Sequence, residues 1–83
     1  MPRGDKSASV VALVLCEARE KAGLTQERLA AKAKMDRSYV SDIEREAASV
    51  SLDKFLRICR ALEVPATDIV AQIENRLKSQ RRR

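Results

Sequence analysis

The sequence predicts an all-α fold, five short helices joined by brief turns, and three observations carry that prediction. The chain is rich in Ala, Leu, Glu, Lys and Arg and holds only two glycines and two prolines, a helical composition. Apolar residues recur at i, i+3, i+4 spacing in successive stretches separated by cap and breaker residues. No alternating apolar–polar run bounded by turn residues suggests a hairpin. With 83 residues, the chain makes one small domain near the lower limit for a self-sufficient core. Tyr39 and Phe55 are its only aromatic residues, so that core is aliphatic.

Residues 1–8 show no periodicity and are expected to form a flexible leader. Val10, Val11, Val14, Ala18 and Ala22 then mark a first helix, with Ser7 or Ser9 as its N-cap. Gly23 is placed to end it in a left-handed C′ conformation, followed by apolar Leu24. Thr25 caps a second helix over 26–33, whose inward residues are Leu29, Ala30 and Ala33; small alanines there allow close helix crossing. After "KMD", Asp36 is a strong N-cap for a third helix of about ten residues. "REAASVS" is the next break. Ser51 caps a fourth helix, with Leu52, Phe55, Leu56, Cys59 and Leu62 on one stripe. Pro65 stops it. A fifth helix restarts near 66–68, where Asp68 suits the first-turn dipole, and runs to about Lys78. Residues 9–78 are thus read as the folded domain and 79–83, "SQRRR", as a basic disordered tail.

Several function classes are excluded or disfavoured. The chain has no histidine, no base partner for Cys16 or Cys59, no glycine-rich phosphate loop and no clustered carboxylate pair, so no enzyme is expected. Without histidine or paired-cysteine spacing, no zinc is expected, and nothing calls for a cofactor or a small-molecule ligand. Cys16 and Cys59 are read as reduced, half-buried thiols, with a bridge between them as the alternative. "VVALVLC" is too short to cross a bilayer, the N-terminus lacks a signal-peptide layout, and the tail has no apolar face for a membrane surface. A cytoplasmic protein is expected.

The net charge of +5 suggests a polyanionic partner, but its distribution weakens the inference. Between Gln26 and Glu46 five basic residues face five acidic ones, while the surplus sits between Arg76 and the C-terminus. The outward face of the third helix is more informative. With Val40 set at zero and about 100° per residue, Ile43 falls near −60° and Tyr39 near −100°, which defines the inward side. Arg37 lies at about 60°, Ser41 about 100°, Arg45 about 140°, Ser38 about 160° and Asp42 about 200°. A merely solvating face would favour better helix formers than serine. Short polar side chains and arginines suit a major groove, where Arg takes guanine, Ser reaches several base edges and Asp accepts from cytosine. Alternatively, Ser41 is an indifferent surface residue and Asp42 pairs with Arg45 three positions on.

"TQERLAAKAKMDRSYVSDIER", with "GLTQ" before it and "SLDKFLRICRALEVPATDI" after it, resembles the helix-turn-helix of the phage-repressor-like (Cro/repressor, Xre-type) family. The likeness extends over roughly residues 10–73, and "DRSYVSDIER" is especially similar to the controller proteins of restriction–modification systems. The resemblance implies that residues 26–33 cross the backbone of double-stranded DNA while 37–45 enter the major groove. It puts Arg37, Ser38, Ser41 and Asp42 at base-reading positions and Gln26 at a phosphate. Tyr39 and Arg45 fall on positions that touch phosphate or brace the helix; a bridge from Arg45 to Glu27 or Glu44 is the alternative. Three departures stand out. Lys34 replaces a common turn glycine, at about 1 kcal/mol if the left-handed conformation is kept. Glu46 and Val50 replace a frequent glycine and proline. The loop "EAASVS" lacks the cations that often grip phosphate.

Val64, Ile69, Val70, Ile73 and Leu77 form a wide apolar surface around the fifth helix, read as a homodimer interface or else as core. A two-fold dimer, which the resemblance also implies, would present two recognition helices roughly 34 Å apart to a pseudo-palindromic operator. The expected function is transcription regulation by competing with, or recruiting, RNA polymerase. The other reading is an antitoxin or anti-repressor-type protein-binding module on the same fold. The tail would add nonspecific phosphate contacts or only solubility.

Overall fold

The computed structural model describes residues 7–81, which form five α-helices. They are α1 (Ser7–Lys21), α2 (Gln26–Ala33), α3 (Arg37–Glu44), α4 (Leu52–Leu62) and α5 (Ala66–Arg81). No strand occurs among the described residues. Val10, Val14, Leu29, Val40, Ile58 and Ile69 are the most deeply buried large side chains, so every helix contributes to one aliphatic core. Ala30 and Ala33, both buried, are the small contacts through which α2 packs on its neighbours.

Four of the five helices end in the same way. Gly23, Lys34, Glu46 and Glu63 adopt φ of 76°, 57°, 64° and 61°. After each, the following residue reaches back to the helix: Leu24 N–H to Arg19 O (3.1 Å), Met35 to Ala30 (3.0 Å), Ala47 to Asp42 (2.7 Å) and Val64 to Cys59 (3.2 Å). This paired closure satisfies carbonyls that a helix end otherwise leaves bare. Leu24, Met35 and Val64 then pack against the core, which anchors the strained residue before them. The left-handed turn is thus retained at Lys34 and Glu46 without glycine.

The cap assignments divide. Thr25 Oγ1 accepts from Arg28 N–H (3.0 Å) and Ser51 Oγ from Lys54 N–H (3.2 Å), as their positions predicted. Asp36 stands at the N-cap of α3 in extended conformation but makes no side-chain capping bond, and α3 has eight residues rather than ten. Ser9 does not cap α1: it lies inside the helix, which begins at Ser7, and its hydroxyl donates to Glu46 Oε1 (2.9 Å). The expected leader therefore yields two residues to α1, and its first six lie outside the described residues.

The inward stripe of α4 differs from the predicted one. Leu52 is 72% exposed and Leu56 38%, whereas Ile58, absent from that stripe, is 2% exposed. Phe55, Ile58, Cys59 and Leu62 face the core. Cys16 and Cys59 are both free thiols, and Cys59 is fully buried rather than half-buried. The tail reading also changes: α5 continues through Ser79 to Arg81, and only residues 82–83 lie outside the described ones. α5 packs against α1, where Arg76 Nη2 donates to Glu17 Oε1 at 2.6 Å.

Candidate nucleic-acid interface

The polar strip of α3 stays outward because its two apolar residues, Val40 and Ile43, are buried at 2% and 4% exposure. Arg37, Ser38 and Arg45 are exposed, and Ser41 and Asp42 half-buried. An ion pair joins Arg45 Nη2 to Asp42 Oδ1 on this strip. The bridge from Arg45 to Glu27 or Glu44 does not form. Glu44 is committed elsewhere, and the i, i+3 geometry offers Asp42 instead.

Glu44 points the other way, into the joint between α1, α2 and α3. Its side chain is 7% exposed and that of Arg19 12%. Arg19 Nε donates to Glu44 Oε2 (2.8 Å) and Nη2 to Oε1 (3.1 Å), a two-pronged contact. Gln26 Nε2, from the first turn of α2, donates to the same Oε1 at 2.9 Å. Arg19 Nη1 also donates to Leu24 O (2.7 Å) in the α1–α2 connection. One buried carboxylate therefore fixes how the two outward helices meet. Burial alone would raise the pKa of Glu44, but the hydrogen bonds from Arg19 and Gln26 and the Arg19 charge outweigh it and hold it below its ordinary value. Nearby Cys16 is shifted upward, first by burial and then by the Glu44 and Glu20 charges, so it stays a thiol.

Three further contacts brace the two-helix unit. Arg57 of α4 donates from Nη2 to Lys34 O (2.5 Å), holding the left-handed turn between α2 and α3. Tyr39 Oη donates to Ser49 O (3.0 Å), fastening the loop after α3. Lys54 Nζ lies 5.4 Å from the centre of the Tyr39 ring, a cation–π contact. Tyr39 is thus half-buried and engaged within the chain. Gln26 keeps one amide hydrogen free of its bond to Glu44.

Sequence reasoning missed Arg19, Glu44 and Arg57. A signal existed for the first two: Glu44 lies about 40° from Val40 on the inward side of α3, and Arg19 is one turn after buried Leu15. Oppositely charged residues on inward faces of two helices are candidates for a buried pair. Arg57 gave no such signal.

Around α5 the predicted surface separates. Ile69 is 1% exposed, so it belongs to the core and offers nothing to a partner. Val70 is 42% exposed, while Val64, Ile73 and Leu77 are half-buried against the core. Among the described residues, no helix is long and apolar enough to cross a membrane. Nor does any group of three or more His, Cys, Asp or Glu side chains gather among them to hold a metal.

Comparison with known proteins places this geometry in a family. The helix-turn-helix family model matches residues 17–69. Control protein C.BamHI of Bacillus amyloliquefaciens is 42% identical over 50 residues, which span 60% of this chain and 62% of that relative. The crystal structure of the restriction–modification controller protein C.Esp1396I superposes with a TM-score of 0.84 at 29% identity, over 90% of this chain and 97% of that one. The same controller protein, solved as a tetramer in complex with its natural 35-base-pair operator, gives 0.80 at 31% identity, over 86% and 93%. The clp gene regulator ClgR from C. glutamicum shares the fold at a TM-score of 0.77 and 23% identity, over 83% and 90%. With well over half its length matched by that family model and the two outward helices joined as described, this chain belongs to the helix-turn-helix family.

Proposed function

We propose that the chain is a sequence-specific DNA-binding transcription regulator acting as a homodimer on a pseudo-palindromic operator. The observation that carries this reading is the outward polar strip of α3, held rigid against α1 and α2 by the Arg19–Glu44–Gln26 joint. A recognition helix must arrive with its orientation already set, because freezing it on contact would cost affinity. The relatives support the reading: C.Esp1396I is a controller protein solved on its operator.

In this reading α3 enters the major groove, with Arg37, Ser38, Ser41 and Asp42 towards the bases. Gln26 gives its second amide hydrogen to a phosphate. Tyr39 and Arg45 border the backbone, and Tyr39 also braces the loop. Val70, with the exposed edges of Val64, Ile73 and Leu77, meets the same surface of a second copy. The protein works in the cytoplasm beside the DNA, without catalysis or cofactor. It acts by competing with RNA polymerase or recruiting it, according to where the operator lies.

Selection from randomised duplexes at about 150 mM salt, where nonspecific binding is weak, tests this directly. The expected result is an enriched inverted repeat with half-sites about one turn apart. Retention without enrichment, or no retention, would overturn it.

A further inference from the structure

We propose that Arg45, steadied by Asp42, reads a guanine within each operator half-site, and that Asp42 is a positioning residue for Arg45. The inference rests on the DNA-binding reading above and revises within it the roles of these two residues.

The buried residues of α3, Val40 and Ile43, centre at about −30°, so the direction facing away from the core is about 150°. Arg45, at about 140°, lies almost on that direction, whereas Arg37, at about 60°, stands at the border. Base edges are met by the middle of a recognition face and phosphates by its margins. Arg45 is also the more exposed partner of its pair, with 64% of its side chain accessible against 39% for Asp42.

The other carboxylates at this end of α3 are occupied, Glu44 by Arg19 and Gln26, and Glu46 by the Ser9 hydroxyl. Asp42 takes one hydrogen of Arg45 Nη2 through a single oxygen. That leaves four of its five N–H donors, and one hydrogen from each Nη atom gives a planar pair matched to guanine O6 and N7. Tethering the guanidinium cuts the rotamer freedom lost on binding. It also answers an electrostatic objection: a lone aspartate beside phosphates repels them, but paired with Arg45 its charge is largely offset.

Arg37 opens α3 and Arg45 caps its C-terminal end, so the two arginines address different base pairs of one half-site.

The test repeats the selection with Asp42→Ala, Arg45→Ala and the double variant, with melting curves as a folding control because Asp42 is half-buried. The inference expects both single variants to lose guanine preference at the same one position, by roughly ten-fold or more. The double variant loses no more than Arg45→Ala, and the position read by Arg37 is unchanged in all three. Tighter binding of Asp42→Ala to every duplex, with guanine preference intact, would overturn it and leave Asp42 as a repulsive charge. Equal weakening of Arg45→Ala on preferred and random duplexes, with the salt slope reduced by about 1, would make Arg45 a phosphate contact. Failure of the unaltered protein to enrich any sequence would instead defeat the DNA-binding reading itself.

Discussion

Arg19 and Glu44 meet across α1 and α3 with Nε 2.8 Å from Oε2, both side chains nearly closed to solvent. Because Gln26 shares the same carboxylate, this pair sets the angle between the helix that braces the site and the helix that presents it. Removing one member of such a pair strands the other charge, which typically costs about 3 kcal/mol. Glu44→Gln should therefore lower the melting temperature by about 10–20 °C in a domain of this size, measured by circular dichroism. Replacing both with apolar residues, Arg19→Met with Glu44→Leu, should recover most of the loss. A double variant as unstable as the single one would mean that packing, not stranded charge, is the cause.

The same carboxylate predicts a pH dependence. Its folded-state pKa lies below the ordinary value of 4.5, so between the two values the unfolded chain binds a proton that the folded chain does not. The stabilisation is accordingly complete above about 4.5 and is lost as pH falls through the depressed folded value. Urea unfolding of the native sequence and of Glu44→Gln, followed from neutral to acid pH, should show the gap between them narrowing below that point. A constant gap would mean that Glu44 does not titrate with unfolding.

Left-handed residues give predictions of opposite sign. At Lys34, φ 57°, glycine removes the side-chain penalty while the Arg57 bond to the carbonyl remains, so Lys34→Gly should stabilise by about 1 kcal/mol. At Gly23, φ 76°, an added Cβ meets nothing within 4 Å, so Gly23→Ala is penalised by backbone strain alone, about 1–2 kcal/mol. Chemical denaturation of the two variants checks both signs.

These cases also separate what the sequence disclosed from what it hid. The positions of the helices were legible because Thr25, Ser51, Gly23 and Pro65 punctuate them and apolar spacing fills the intervals. The outward strip of α3 was legible for the same reason: once Val40 and Ile43 are inward, the rest follows by rotation. Side-chain partners were not. Asp36 is a good capping type that makes no cap, and Ser9 bonds to Glu46, 37 positions away. The stripe of α4 misled because Leu52 follows the spacing yet sits in the first turn, beyond the reach of the core, while Ile58 was overlooked.

Arg37→Ala tests the base reading proposed for the N-terminal end of α3. Its side chain is exposed, so folding should be unaffected. On the selected operator, affinity should fall by about 1–3 kcal/mol, with little change on random duplex. Titrations against both duplexes at one salt concentration decide it. An equal loss on each would assign Arg37 to phosphate.

Ile69 and Val70 are adjacent in α5, yet one is 1% exposed and the other 42%, so they should fail in different ways. Ile69→Ala opens a hole in the core and should cost about 2–5 kcal/mol of stability. Val70→Glu removes nothing from the core, and a surface change of this kind normally moves monomer stability by no more than about 0.5 kcal/mol. In the proposed dimer, however, a carboxylate buried between two copies without a partner is expensive, and two-fold symmetry places it there twice. Sedimentation should accordingly find Val70→Glu monomeric at concentrations where the native protein is dimeric. Operator affinity should fall steeply as well, because each half-site is then bound without the other. A dimer undisturbed by Val70→Glu would move the interface off this face of α5, towards exposed Leu52 and Leu56 on α4.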